Sequence, residues 1–114
     1  MSVVIYHNPR CSKSRQTLSL IEEKHIKPQI IEYLKHPPSA DELKKLLKLL
    51  GIRAHDLMRT KEDEYKSLAC SPDMSDDQLI AIMVAHPKLI ERPIVVNGKH
   101  AAIGRPPERV LEIL

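Results

Sequence analysis

The chain has 114 residues, 42% of them hydrophobic, and a formal net charge of +3, the size and make-up of one ordinary domain that buries a core without metal or disulfide support. Its aromatic residues are only Tyr6, Tyr33 and Tyr65, too few for stacking on exposed bases, and its basic residues are spread along the chain instead of collected in one run. This argues against a nucleic-acid partner and in favour of a small anionic ligand or ordinary solubility.

No stretch approaches the roughly 20 apolar residues of a membrane span, and the start, Met1-Ser2-Val3-Val4-Ile5, lacks the basic and apolar regions of an export signal. We therefore expect no membrane association and a cytoplasmic location. Cys11 and Cys70 then meet a reducing compartment, where a thiol is more often catalytic than structural.

Val3-Val4-Ile5-Tyr6, β-branched and aromatic, predicts a strand that Asn8-Pro9 breaks. Leu18, Leu20 and Ile21 recur at helical spacing over residues 14–24, with Ser12 or Ser14 as the N-cap. Cys11 thus falls near a helix N-terminus, where unpaired N–H groups and the dipole favour an anion. With Arg10, Lys13 and Arg15 beside it, the thiol is expected to titrate below the free value of about 8.5. The same turn would hold an oxyanion, so a nucleophile and an oxyanion site coincide. The alternative is a small buried hydrophobe, a poor match to a turn crowded with cations.

Pro28 ends the connection, and Gln29 to Leu34 predicts a second strand; joined to the first by a helix, it runs parallel and sets the α/β class. After His36-Pro37-Pro38, Ser39-Ala40-Asp41-Glu42 has capping-box spacing ahead of Leu43, Leu46, Leu47 and Leu50, and Gly51 is the C-cap. Residues 52–72 read as short helices and turns. Ser75-Asp76-Asp77-Gln78 repeats the capping spacing before a helix that reaches about His86-Pro87. Pro93 then opens Ile94-Val95-Val96, Asn97-Gly98 predicts a two-residue hairpin turn, and Lys99 to Ile103 returns. Gly104-Arg105-Pro106-Pro107-Glu108 leads into a short terminal helix. The order is that of a thioredoxin-like core (βαβ, then ββα) in a single domain, 1–114, with a helical insertion at about 39–87.

The chain resembles the glutaredoxin-dependent arsenate reductase family nearly end to end. The resemblance is carried by Tyr6 through Arg15, by Asp56-Leu57-Met58-Arg59, by Glu91-Arg92-Pro93-Ile94-Val95-Val96 and by Ile103-Gly104-Arg105-Pro106-Pro107-Glu108. It implies that Cys11 attacks arsenate, that Arg59, Arg92 and Arg105 bind the oxyanion, that His7 supports the thiolate and that Ser14 hydrogen-bonds near the sulfur. It also implies a cis Arg92-Pro93 bond, glutathione as co-substrate, glutaredoxin as partner and no tightly bound cofactor.

The residue chemistry is consistent with that role, because a thiolate attacking a tetrahedral oxyanion is repelled until forked, permanently charged guanidinium groups neutralise its oxygens. His25, His36, His55, His86 and His100 have no metal-ligand spacing with the cysteines, so no metal is expected. Two alternatives stay open: a glutathione-linked monothiol oxidoreductase acting on another substrate, and a thioredoxin-fold transcription regulator that binds RNA polymerase. Regulators of that kind carry Cys-X-X-Cys, and Ser14 stands here at the second cysteine's position.

Overall fold

Strands β1 (Val3–His7), β2 (Gln29–Glu32), β3 (Ile94–Asn97) and β4 (His100–Ile103) form one mixed sheet, ordered β2-β1-β3-β4, in this computed structural model, which describes residues 2–114. β1 pairs in parallel with β2, from Val4 opposite Gln29 to His7 opposite Glu32, and antiparallel with β3. A parallel pair needs a crossover, and helix α1 (Ser12–Glu23) provides it. Val3, Ile5 and His7 alternate inward on β1, as the pleat of a half-buried strand requires. Val3, Ile5, Ile21, Val95 and Val110 make the core of this part of the chain, with Leu18, Ile26 and Ala102 packed around them.

The chain falls into two compact units: the N-terminal residues up to His36 with Arg92–Leu114, and Pro37–Glu91. The second unit is helical, with α2 (Ala40–Leu50), α3 (Asp63–Ser67), α4 (Asp76–Ala85) and 3₁₀ turns at Ala54–Leu57 and Pro87–Leu89. Both expected capping boxes are present: Ser39 accepts from the Glu42 N–H at the start of α2, and Ser75 from the Gln78 N–H at the start of α4. Gly51 closes α2 at φ 67°, a left-handed position that glycine occupies without Cβ strain. Leu43, Leu46 and Leu47 of α2 and Leu79, Ile80 and Met83 of α4 are buried, so the period read from sequence is the packing face.

Four expectations change in detail. α1 begins at Ser12, and its N-cap is Cys11, in extended conformation with no side-chain cap, so neither Ser12 nor Ser14 caps it. β2 stops at Glu32, whose carbonyl accepts from the Lys35 and His36 N–H groups as the chain turns. The hairpin turn shifts by one residue: Asn97 pairs with His100, and the two-residue loop is Gly98-Lys99, with Gly98 at φ 62°. Asn97 is retained in the strand because its Nδ2 donates to the Ile113 carbonyl at 2.6 Å. The terminal helix, Pro107–Ile113, is a 3₁₀ segment. The Arg92-Pro93 bond is cis, as the resemblance implied, and so is Arg105-Pro106. Among the described residues, no helix is long and apolar enough to cross a membrane.

Candidate active site

The end of β1 and the start of α1 set the site. Beyond His7 the chain turns through Asn8, Pro9 and Arg10; the Asn8 side chain accepts from the Arg10 N–H and its carbonyl from the Cys11 N–H, each at 3.0 Å. This asparagine turn, followed by the first helical bond from Arg15 N–H to the Cys11 carbonyl, delivers the thiol to the helix N-terminus.

Cys11 is buried, at 9% exposure, and is a free thiol. Burial alone pushes its pKa up and is the largest single influence. The backbone N–H groups of Ser14 and Lys13, bonded to the sulfur, and the charges of Arg92 and Arg105 together outweigh it. The net result is a thiol held below its ordinary pKa, which favours the thiolate.

Arg105 makes the defining contact. Its Nη2 donates to Cys11 Sγ at 3.6 Å while its Nε donates to the Arg92 carbonyl at 2.8 Å. A planar guanidinium can satisfy both at once, as the compact ammonium of lysine cannot. The approach depends on Gly104: a Cβ there would lie 2.5 Å from Thr17 Oγ1 and 2.8 Å from Pro93 Cγ, so the segment that carries Arg105 packs against α1 and Pro93 through bare backbone. Sequence reasoning missed Gly104; its one signal was a glycine between a strand and a motif arginine.

The cations nearest to Cys11 in sequence are not the ones that act on it. Arg10, Lys13 and Arg15 are exposed, and the charges that lower the thiol's pKa are those of Arg92 and Arg105. This corrects the expectation that the flanking cations tune the sulfur: these three side chains lie out in solvent, whereas Arg92, ahead of β3, and Arg105, after β4, are half-buried and their charges reach the thiol.

His7 and Ser14 form a buried pair, with Nδ1 and Oγ 2.6 Å apart, and the Asn8 N–H donates to the same Oγ at 3.0 Å. Ser14 therefore serves the sulfur through its backbone N–H while its hydroxyl ties His7 to the turn. Burial, opposed by Glu32 and reinforced by Arg15, holds the His7 pKa below its ordinary value, so the imidazole is neutral near pH 7.

The first unit thus brings together His7, Cys11, Ser14, Arg92 and Arg105. Arg59 belongs to the second unit, where its guanidinium pairs with Glu62 and its N–H donates to the Leu89 carbonyl at 2.8 Å. Cys70, also in the second unit, is a buried free thiol. Among the described residues, no group of three or more His, Cys, Asp or Glu side chains could hold a metal ion.

A buried, arginine-flanked thiol between the first strand and helix of a mixed sheet belongs to an α/β protein of the thioredoxin-like class. The sequence profile of the ArsC family matches residues 6–113, and the chain belongs to that family. It is 54% identical to the protein named arsenate reductase of Haemophilus influenzae (strain ATCC 51907 / DSM 11121 / KW20 / Rd), each chain covered in full. It is equally identical, over 98% of this chain and 96% of the other, to the uncharacterized protein YfgD of Escherichia coli (strain K12). The solved structure named arsenate reductase from Vibrio cholerae superposes with a TM-score of 0.97 at 58% identity, covering 100% of this chain and 98% of that one.

Proposed function

We propose that the chain reduces arsenate to arsenite, with Cys11 as nucleophile and glutathione and glutaredoxin as reductants. The observation that carries this reading is the Arg105 guanidinium set on the Cys11 sulfur, in a chain of the ArsC family. A donor fork that already faces the nucleophile suits an oxyanion brought to the same sulfur.

The thiolate attacks arsenic, a sulfur–arsenic bond forms, and one arsenate oxygen leaves as water after protonation. Arg92 and Arg105 neutralise the remaining oxygens. The thiolate of glutathione then bonds to arsenic and displaces a second oxygen. Formation of a disulfide between Cys11 and glutathione returns two electrons to arsenic, which departs in the trivalent state. A glutaredoxin thiolate attacks the glutathione sulfur of that disulfide and releases Cys11 as thiolate. His7 and Ser14 hold the turn that presents Cys11. For Arg59 the support is the sequence resemblance, and Arg59→Ala belongs in the same assay.

The test is arsenate-dependent NADPH oxidation in the presence of glutathione, glutaredoxin and glutathione reductase. Wild type is expected to turn over, Cys11→Ser to show none, and Arg92→Ala to lose roughly 10²-fold or more, as when a donor to a developing anion is removed. A wild type without arsenate-dependent turnover whose Cys11 still forms a mixed disulfide with glutathione would replace this reading with a glutathione-linked monothiol oxidoreductase.

A further inference from the structure

Three cations that flank the thiol in sequence are not among the charges that lower its pKa. Arg10, Lys13 and Arg15 are exposed, no acidic residue occurs in the first turn of α1, and the first acid after the motif is Glu22. None of the three forms an ion pair among the described residues, whereas Lys35, Lys44, Arg53, Arg59 and Lys88 all do. Two of these cations, Lys13 and Arg15, sit at the positive end of a helix, where charges of that sign are unfavourable. α2, α3 and α4 each place two acids in the first turn.

Arg15 is also held in place. Its Nη1 donates to the Pro9 carbonyl at 2.9 Å, bracing the guanidinium across the loop that carries Cys11 while its other donors remain for a ligand.

We infer that Arg10, Lys13 and Arg15 form a rim that binds the carboxylates of glutathione as its sulfur meets Cys11. The inference rests on the reading above for the identity of the thiol, and it divides the cations between two anions. Arg92 and Arg105, half-buried at the sulfur, belong to the oxyanion. A second anionic reactant arriving at the same atom must be neutralised by other charges, and the exposed rim supplies them. The rim acts equally on disulfide exchange. There the Cys11 thiolate attacks one sulfur of glutathione disulfide, a new sulfur–sulfur bond forms, the original one breaks, and glutathione leaves as its thiolate.

The experiment compares the rate of Cys11 modification by glutathione disulfide with that by hydroxyethyl disulfide, which is uncharged, scored by mass spectrometry of the Cys11 peptide. The ratio of the two rates cancels any change in the thiol itself. Arg10→Gln/Lys13→Gln/Arg15→Gln is expected to lower the ratio about tenfold, and raised salt to lower it for wild type. The reference variant, Lys45→Gln/Lys48→Gln/Lys66→Gln, removes the same charge from exposed sites on α2 and α3 and is expected to leave the ratio within about twofold of wild type. Equal ratios for the two triple variants overturn the rim. The assay contains no arsenate: a protein inert toward arsenate that shows the expected ratios loses the arsenate reading and keeps the rim. Arsenate turnover with unchanged ratios does the reverse.

Discussion

Arg105 Nη2 lies 3.6 Å from Cys11 Sγ across a sequence separation of 94 residues, and the same guanidinium is anchored through Nε to the Arg92 carbonyl. The positive charge that Arg105 sets beside the sulfur therefore comes from the far end of the chain and is oriented by a backbone acceptor. Arg105→Lys keeps the charge and loses the fork. It is expected to raise the Cys11 pKa toward the ordinary thiol value, and Arg105→Ala to raise it further. Ultraviolet thiolate absorbance against pH reads both; an unchanged midpoint in Arg105→Ala would remove Arg105 from the thiol's electrostatics.

The lowered Cys11 pKa also links to stability. Between the native value and the higher unfolded value, the unfolded chain binds more protons, so stability rises with pH across that window and is lost as pH falls through the native value. Cys11→Ser is expected to flatten this part of the stability profile, measured by urea unfolding at a series of pH values.

His7 should titrate below its ordinary 6.5, since burial disfavours the imidazolium. Its contribution to stability is complete above pH 6.5 and is lost as pH falls through the native value, because the unfolded chain takes up the proton first. Glu32→Gln is expected to lower the midpoint further and Arg15→Gln to raise it, the signs of their charges on the ring. Ring resonances followed by NMR across pH check both directions.

Ser14→Ala leaves His7 Nδ1 and the Asn8 N–H, both inside the turn, without their common partner. We expect a loss of roughly 1 to 3 kcal/mol, the cost of stranding buried polar groups. Chemical denaturation measures it, and a change below a few tenths would show that water replaces the hydroxyl.

Gly104→Ala places a methyl group 2.5 Å from Thr17 Oγ1 and 2.8 Å from Pro93 Cγ. Thr17 is fully buried and bonded to the Lys13 carbonyl, so it cannot swing aside without losing that bond. The expected cost is about 1 to 3 kcal/mol, with the Cys11 pKa rising as the Arg105 segment is pushed away. A melting temperature and thiolate titration equal to those of wild type would contradict the packing argument.

The elements whose causes are local were legible before any packing was known. Both capping boxes, the Gly51 C-cap and the break at Asn8-Pro9 follow from residues within a few positions of one another, and the structure has them where the pattern put them. The position of Cys11 at a helix start was legible in the same way. The remaining features depend on contacts between distant segments. Asn97 moved out of the turn because its side chain found the Ile113 carbonyl, and the hairpin register followed. Ser14 turned its hydroxyl to His7 because both are buried on the same side of the β1–α1 turn. The resemblance to a family named Arg92 and Arg105, but charge spacing alone favoured Arg10, Lys13 and Arg15. Proximity in sequence places a charge near a thiol, and only packing decides whether the charge faces the sulfur or the solvent.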